Sequence, residues 1–105
     1  MINHVVYFQL NDEVDAAALE ELVRTSRSLL LKIPEVLSVK SGRNLDPDSQ
    51  WSFFFSIEVD SLEKLRVTLD DPYHLKLVEK YLKPATASSF TMNFELDPSK
   101  DLKYS

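Results

Sequence analysis

The chain has no cysteine, a single glycine and fewer basic than acidic residues, and each shortage removes a class of function. Without thiols there is no disulfide, no thiolate nucleophile and no zinc–thiolate site. One glycine, Gly42, cannot build a phosphate-cradling loop, which needs several points of close backbone approach. Twelve Lys and Arg residues are interleaved with seventeen Asp and Glu, for a net charge of -5. That balance repels a phosphate backbone and an anionic lipid surface alike, so no nucleic-acid or membrane partner is expected. The uninterrupted apolar runs are a few residues long, far short of the roughly 20 that span a bilayer. Met1-Ile2-Asn3-His4 lacks a basic segment followed by an apolar one, and a cytoplasmic location is expected.

What is present fits one domain. The 105 residues, 44% of them hydrophobic, can enclose one core. We place the domain at residues 1–97, followed by a polar C-terminal tail over 98–105. No repeat or low-complexity tract interrupts it.

Hydrophobic periodicity gives the element order. Ile2, His4, Val6, Phe8 and Leu10 alternate with Asn3, Val5, Tyr7 and Gln9, the period of a strand. Asn11-Asp12 then offers a cap, with Asp12, Glu13 and Asp15 suited to a helix N-terminus. Leu19, Leu22, Val23, Ser26, Leu29, Leu30 and Ile33 recur at three and four, a helical stripe of about five turns ended by Pro34. Val36 to Lys40 reads as a second strand running to Gly42, where a positive φ or a close backbone approach is expected. Trp51, Phe53, Phe55, Ile57 and Val59 form the apolar face of a third strand. Asp60 and Glu63 make an acidic variant of the capping box, opening a short helix through Leu69. Asp71-Pro72 starts another helix, predicted to run to about Leu82 and to be broken by Pro84. The last strand, Ser88 to Leu96, sets Phe90, Met92, Phe94 and Leu96 against Ser89, Thr91, Asn93 and Glu95. The order β-α-β-β-α-β, with the second α split, predicts an α+β ferredoxin-like fold: a four-stranded antiparallel sheet with helices on one face.

The uncovered face is predicted to carry Val5, Tyr7, Phe54, Ser52, Thr91 and Asn93, with Ser38 and Lys40. Val5, Tyr7 and Phe54 are too apolar for an ordinary solvated face, and stacking two such sheets into a dimeric barrel would bury them. A homodimer through the sheet face is expected.

The candidate chemistry rests on two histidines. His4 lies in register with Val6 and Phe8, and His74 lies one turn before Leu77 and Val78 and two before Tyr81. Both imidazoles therefore aim at the layer between sheet and helices, where burial moves their pKa values. His74, His4 and Tyr81 are the candidate catalytic residues, with one histidine as general base or ligand anchor. The plain alternative is a pair of core histidines bonded to backbone carbonyls or to Tyr81. Asp70 and Asp71 read as a turn and an N-cap, and two histidines without a third ligand make a poor metal site. No metal or cofactor is expected. Ser26 is expected to bond back to its own helix.

His4-Val5-Val6 in the first strand, Val39-x-x-Gly42-x-Asn44 after the first helix, and Pro72-x-His74 opening the last helix resemble the stress-responsive dimeric A/B barrel (Dabb) family. The resemblance spans residues 2 to about 97. It implies a ferredoxin-like protomer that dimerises through its sheet. It also implies kinship with plant polyketide cyclases of the olivetolic acid cyclase type, whose catalytic histidine matches His74 and whose supporting histidine matches His4. The cyclase tyrosine six residues before its histidine is replaced by Thr68, and a further histidine before the proline by Asp71, so the cyclase reaction does not carry over. Three readings stay open. One is a small-molecule binder or enzyme with a histidine-containing apolar pocket, acting on a small organic molecule, aromatic or polyketide-like. Another is a non-catalytic stress-response or structural dimer. The last is a cofactor-independent monooxygenase, for which the characteristic polar pocket residues are not evident.

Overall fold

A computed structural model describes residues 1–97; the tail placed at 98–105 lies outside the described residues. The sheet is four-stranded and antiparallel, built from β1 (Ile2–Leu10), β2 (Ser38–Arg43), β3 (Phe53–Val59) and β4 (Thr86–Glu95) in the spatial order β2-β3-β1-β4. Helix α1 (Ala16–Leu30) and helix α2 (Leu62–Leu69) pack on one face. This is the ferredoxin-like α+β architecture that the element order predicts.

The core lies where the stripe of α1 meets the alternating residues of the central strands. Leu22, Leu29 and Leu30 of α1 bury against Phe53, Phe55 and Ile57, with Val6 and Phe8 of β1 beside them. The rings of Phe8 and Phe53 stack at 5.2 Å between centroids. Each such side chain taken fully out of water contributes about 1.5–3 kcal/mol, which is why these positions fix the sheet register.

Several local expectations are corrected. Helix α1 is four turns long and is capped by Asp15, whose carboxylate accepts the Ala18 N–H at 2.8 Å. Asn11 instead clamps the far end of the chain, its side chain donating to the Pro84 carbonyl and its N–H to that of Ala85. Ser61, not Asp60, caps α2 and accepts from Lys64 N–H at 3.2 Å. Gly42 has no positive φ, and a Cβ added there would meet Phe54 at an ordinary 3.5 Å. Trp51 precedes β3 and packs on Phe90 at 6.0 Å, away from the Phe53 face.

Pro84 does not break the last helix. Helix α3 (Pro72–Lys76) passes into a π-helical stretch over Leu77–Leu82 and then a short α4 (Lys83–Ala85), with helical dihedrals at each junction. A proline has no N–H, and its ring crowds the carbonyl four residues back. Widening the preceding turn, where Lys83 N–H reaches five residues back to Val78, accommodates that ring while the backbone stays helical.

The largest correction concerns β4. Its register pairs Asn93 with His4 and Thr91 with Val6, whereas Phe90 faces Tyr7 and Met92 faces Val5. Directly paired residues point to the same side of a sheet. Thr91 and Asn93 therefore lie on the helix side, and Phe90, Met92 and Phe94 lie on the open side, 45%, 37% and 46% exposed. Alternation alone gave the opposite assignment because no helix covers β4, so its apolar side is not drawn to the core. The open face thus carries a row of rings, Trp51, Phe90, Tyr7 and Phe54, spaced about 6 Å apart.

Candidate functional site

Where the helices stop short of β4, a cleft of about 500 Å³ remains. Its apolar wall is Val6, Phe8, Phe55, Leu69, Val78 and Leu82, and its polar residues include His4, His74, Asn93, Thr91, Ser89 and Lys83. Each is there for a local reason. His4 follows from the alternation of β1. A register shift opposite Gln9 and Leu10 leaves Ala87 unpaired and resets the alternation, so Thr86 joins Ser89, Thr91 and Asn93 on the cleft side. His74 sits two residues after Pro72 in a helix opened by Asp71, which accepts the Tyr73 N–H at 2.8 Å.

Each imidazole is held by an oxygen. The Nδ1 of His74 lies 3.0 Å from the Leu69 carbonyl, which can only accept, so Nδ1 carries the proton and Nε2 keeps its lone pair. Nδ1 of His4 lies 2.6 Å from Oδ1 of Asn93, and with the amide oxygen facing it that ring adopts the same tautomer. Burial lowers the pKa of His4 below the usual 6.5, partly offset by the Asn93 bond. For His74 burial again dominates and lowers the pKa; the Leu69 carbonyl opposes it, the charge of His4 adds to it, and Asp71 and Asp70 oppose it. Above pH 6.5 both rings are neutral. Such an arrangement offers two basic nitrogens beside an apolar wall, able to accept a hydrogen bond or a proton.

His4 and His74 thus line one cleft, and Tyr81 does not share it. Tyr81 lies on the α1 side, among Val14, Ala18, Leu22 and Thr25. The reason is the π-helical stretch. A turn of more than four residues rotates Tyr81 off the His74 line and brings Val78 and Leu82 onto it. Alternation does not bring Asn93 and Thr91 to the site, because it sets the polar side of β4 on the open face, opposite to its register with β1. The signal that would have found them is the polar alternation of β4 itself, read as one wall of a histidine cleft. Thr68 is fully buried and its hydroxyl donates to the Lys64 carbonyl of its own helix at 2.8 Å. Among the described residues no group of three His, Cys, Asp or Glu could hold a metal ion, and no helix is long and apolar enough to cross a membrane.

Solved structures share this fold. One is a Dabb protein with a ferredoxin-like fold from Mesorhizobium loti (20% identity, 90% of this chain and 95% of that chain, TM-score 0.79). Another is a dimeric ferredoxin-like protein of unknown function from Thermobifida fusca (24% identity, 90% of each chain, TM-score 0.80). A third is a hydroxynitrile lyase from Passiflora edulis (15% identity, 92% of this chain and 94% of that chain, TM-score 0.78). No curated protein matches the chain. The fold and the cleft define a ferredoxin-like α+β domain with a histidine-lined site beside its last strand. The family model described as the stress responsive A/B barrel domain, Dabb, matches residues 2–96, and the chain belongs to that family.

Proposed function

We propose that this chain is a homodimeric protein that binds, and acts on, a small organic molecule in the cleft between β4 and the last helix. The observation that carries this reading is the pair of imidazoles, each held at Nδ1 by an oxygen acceptor, on the wall of one apolar cleft. His74 then serves as general base. Its Nε2 takes a proton from a carbon beside a carbonyl, the bonding electrons pass to the carbonyl oxygen as an enolate, and the imidazolium returns the proton later. His4, fixed by Asn93, orients the ligand by accepting from a hydroxyl. Tyr81 has no part in this step, since its ring packs against α1. One neighbour lends support: the lyase from Passiflora edulis is an enzyme on this fold. The resemblance to olivetolic acid cyclase-type proteins, read from the sequence, implies the same histidine positions.

Dimerisation through the open sheet face is carried by a separate observation. Phe90, Met92 and Phe94 extend the Tyr7–Phe54 surface into an exposed apolar patch, the kind that a second copy would bury. The neighbour from Thermobifida fusca is described as dimeric.

The test is a thermal-shift screen of small aromatic and alkyl-chain acids on the wild type and His74→Ala together. A ligand well above its dissociation constant adds roughly 1–3 kcal/mol to the folded state. The expected result is a shift in the wild type and none in the variant. Absence of any shift in either, with the variant simply less stable, would make His74 a structural residue and favour a non-catalytic dimer.

A further inference from the structure

Among the described residues that line the cleft, Lys83 is the one Lys, Arg, Asp or Glu. Its position is a product of the π-helical stretch, which places Leu82 and Lys83 side by side on the lining. Lys83 Nζ is paired with Glu79 at 2.7 Å, but both side chains are well exposed, at 64% and 63%. A pair of that kind is weak and readily exchanged for another anion. Nothing in its own fold requires Lys83 to stay with Glu79, whereas its neighbours on the cleft are apolar, neutral or hydroxyl-bearing.

We infer that Lys83 is a specificity-determining residue at the cleft mouth, which leaves Glu79 to bind the anionic head of a ligand whose apolar body lies along Val78, Leu82 and Phe55. This rests on the reading of the cleft as a small-molecule site. Lys83 lies nine positions beyond His74, at most about 13 Å along the helix axis at the α-helical rise, and less across the π-helical stretch. The flexible lysine stem shortens that gap. The ligand class is therefore an amphipathic anion with several carbons between its charged head and the part that meets His74. A carboxylate and a phosphate monoester share this chemistry.

The experiment measures dissociation constants of octanoate, octanamide and octyl phosphate for the full chain as wild type, Lys83→Met and Glu79→Gln. In the wild type the anions are expected to bind about fivefold more tightly than the amide, as for a partly exposed charge pair. Lys83→Met should abolish that preference, so that octanoate and octanamide bind alike, and Glu79→Gln should enlarge it by freeing the lysine. The order of octanoate and octyl phosphate then names the head group. Equal binding of octanoate and octanamide to the wild type, or a preference that survives in Lys83→Met, overturns the assignment of Lys83. Failure of all three to bind the wild type overturns the small-molecule reading of the cleft itself.

Discussion

Asn93 on β4 holds His4 on β1 through a 2.6 Å contact between residues 89 apart in sequence, and the contact lies at the wall of the cleft. It joins the sheet's edge strand to the candidate site, so the two should respond together. Asn93→Ala leaves the His4 Nδ1–H without its partner in a mostly buried place, and the expected loss is about 1–2 kcal/mol in urea denaturation. Asn93→Asp replaces a neutral acceptor by a charged one. A nearby carboxylate favours the imidazolium, so the His4 pKa, followed by NMR, should rise relative to wild type. A pKa unmoved by that change would mean that the pair is not formed in solution.

The two lowered histidine pKa values set a pH dependence of stability. Above the unfolded value of 6.5 both states hold neutral rings, and the full stability is present. As pH falls below 6.5 the unfolded chain takes up protons first, and stability declines until the folded-state pKa values are passed. Denaturant midpoints at pH 8 and at pH 5 should therefore differ, with the acid value lower. His4→Asn should flatten the curve by removing one titrating group. A profile that is flat in the wild type would contradict the burial of both rings.

The aromatic row on the open face gives a prediction about assembly. Phe94→Glu places a charge within the apolar patch, where a partner copy would have to desolvate it. The wild type should scatter light with twice the 12.1 kDa chain mass and the variant with the single mass. Since Phe94 is 46% exposed in the protomer, the variant should keep its fold, seen as unchanged far-UV circular dichroism. A wild type of single mass at micromolar concentration would remove the dimer.

Much of this was legible in the sequence, and the misses share a physical cause. Period two in β1 and β3 and period three-to-four in α1 identify their core sides because helices cover those strands. The same logic fails for β4, which is covered on neither side in the protomer; burial exposes both Phe90 and Thr91, and alternation cannot say which faces the helices. Simple periodicity places both histidines on the cleft. It sets Tyr81 on the same line wrongly, because the helical period itself changes between Leu77 and Leu82, a change that Pro84 signals only in part. Likewise the bond expected from Ser26 to its own helix depends on a rotamer, which no spacing encodes.

Ser26 provides the last prediction. It is fully buried on the core stripe of α1, and its Oγ alone among the buried side-chain oxygens and nitrogens of the described residues has no hydrogen-bond partner. An unsatisfied buried hydroxyl costs about 1–3 kcal/mol, whereas removing one oxygen atom from a packed site forfeits contacts worth only a few tenths. Alanine is also the stronger helix former. The effects act in the same direction except for the lost contacts, so Ser26→Ala should raise stability by about 1 kcal/mol, read as a higher urea midpoint at unchanged slope. Ligand binding in the cleft should not change, because Ser26 is not part of its lining. A destabilised variant would show that the hydroxyl has a partner in solution, and the core between α1 and the sheet would then hold a polar contact, not a dry hydroxyl.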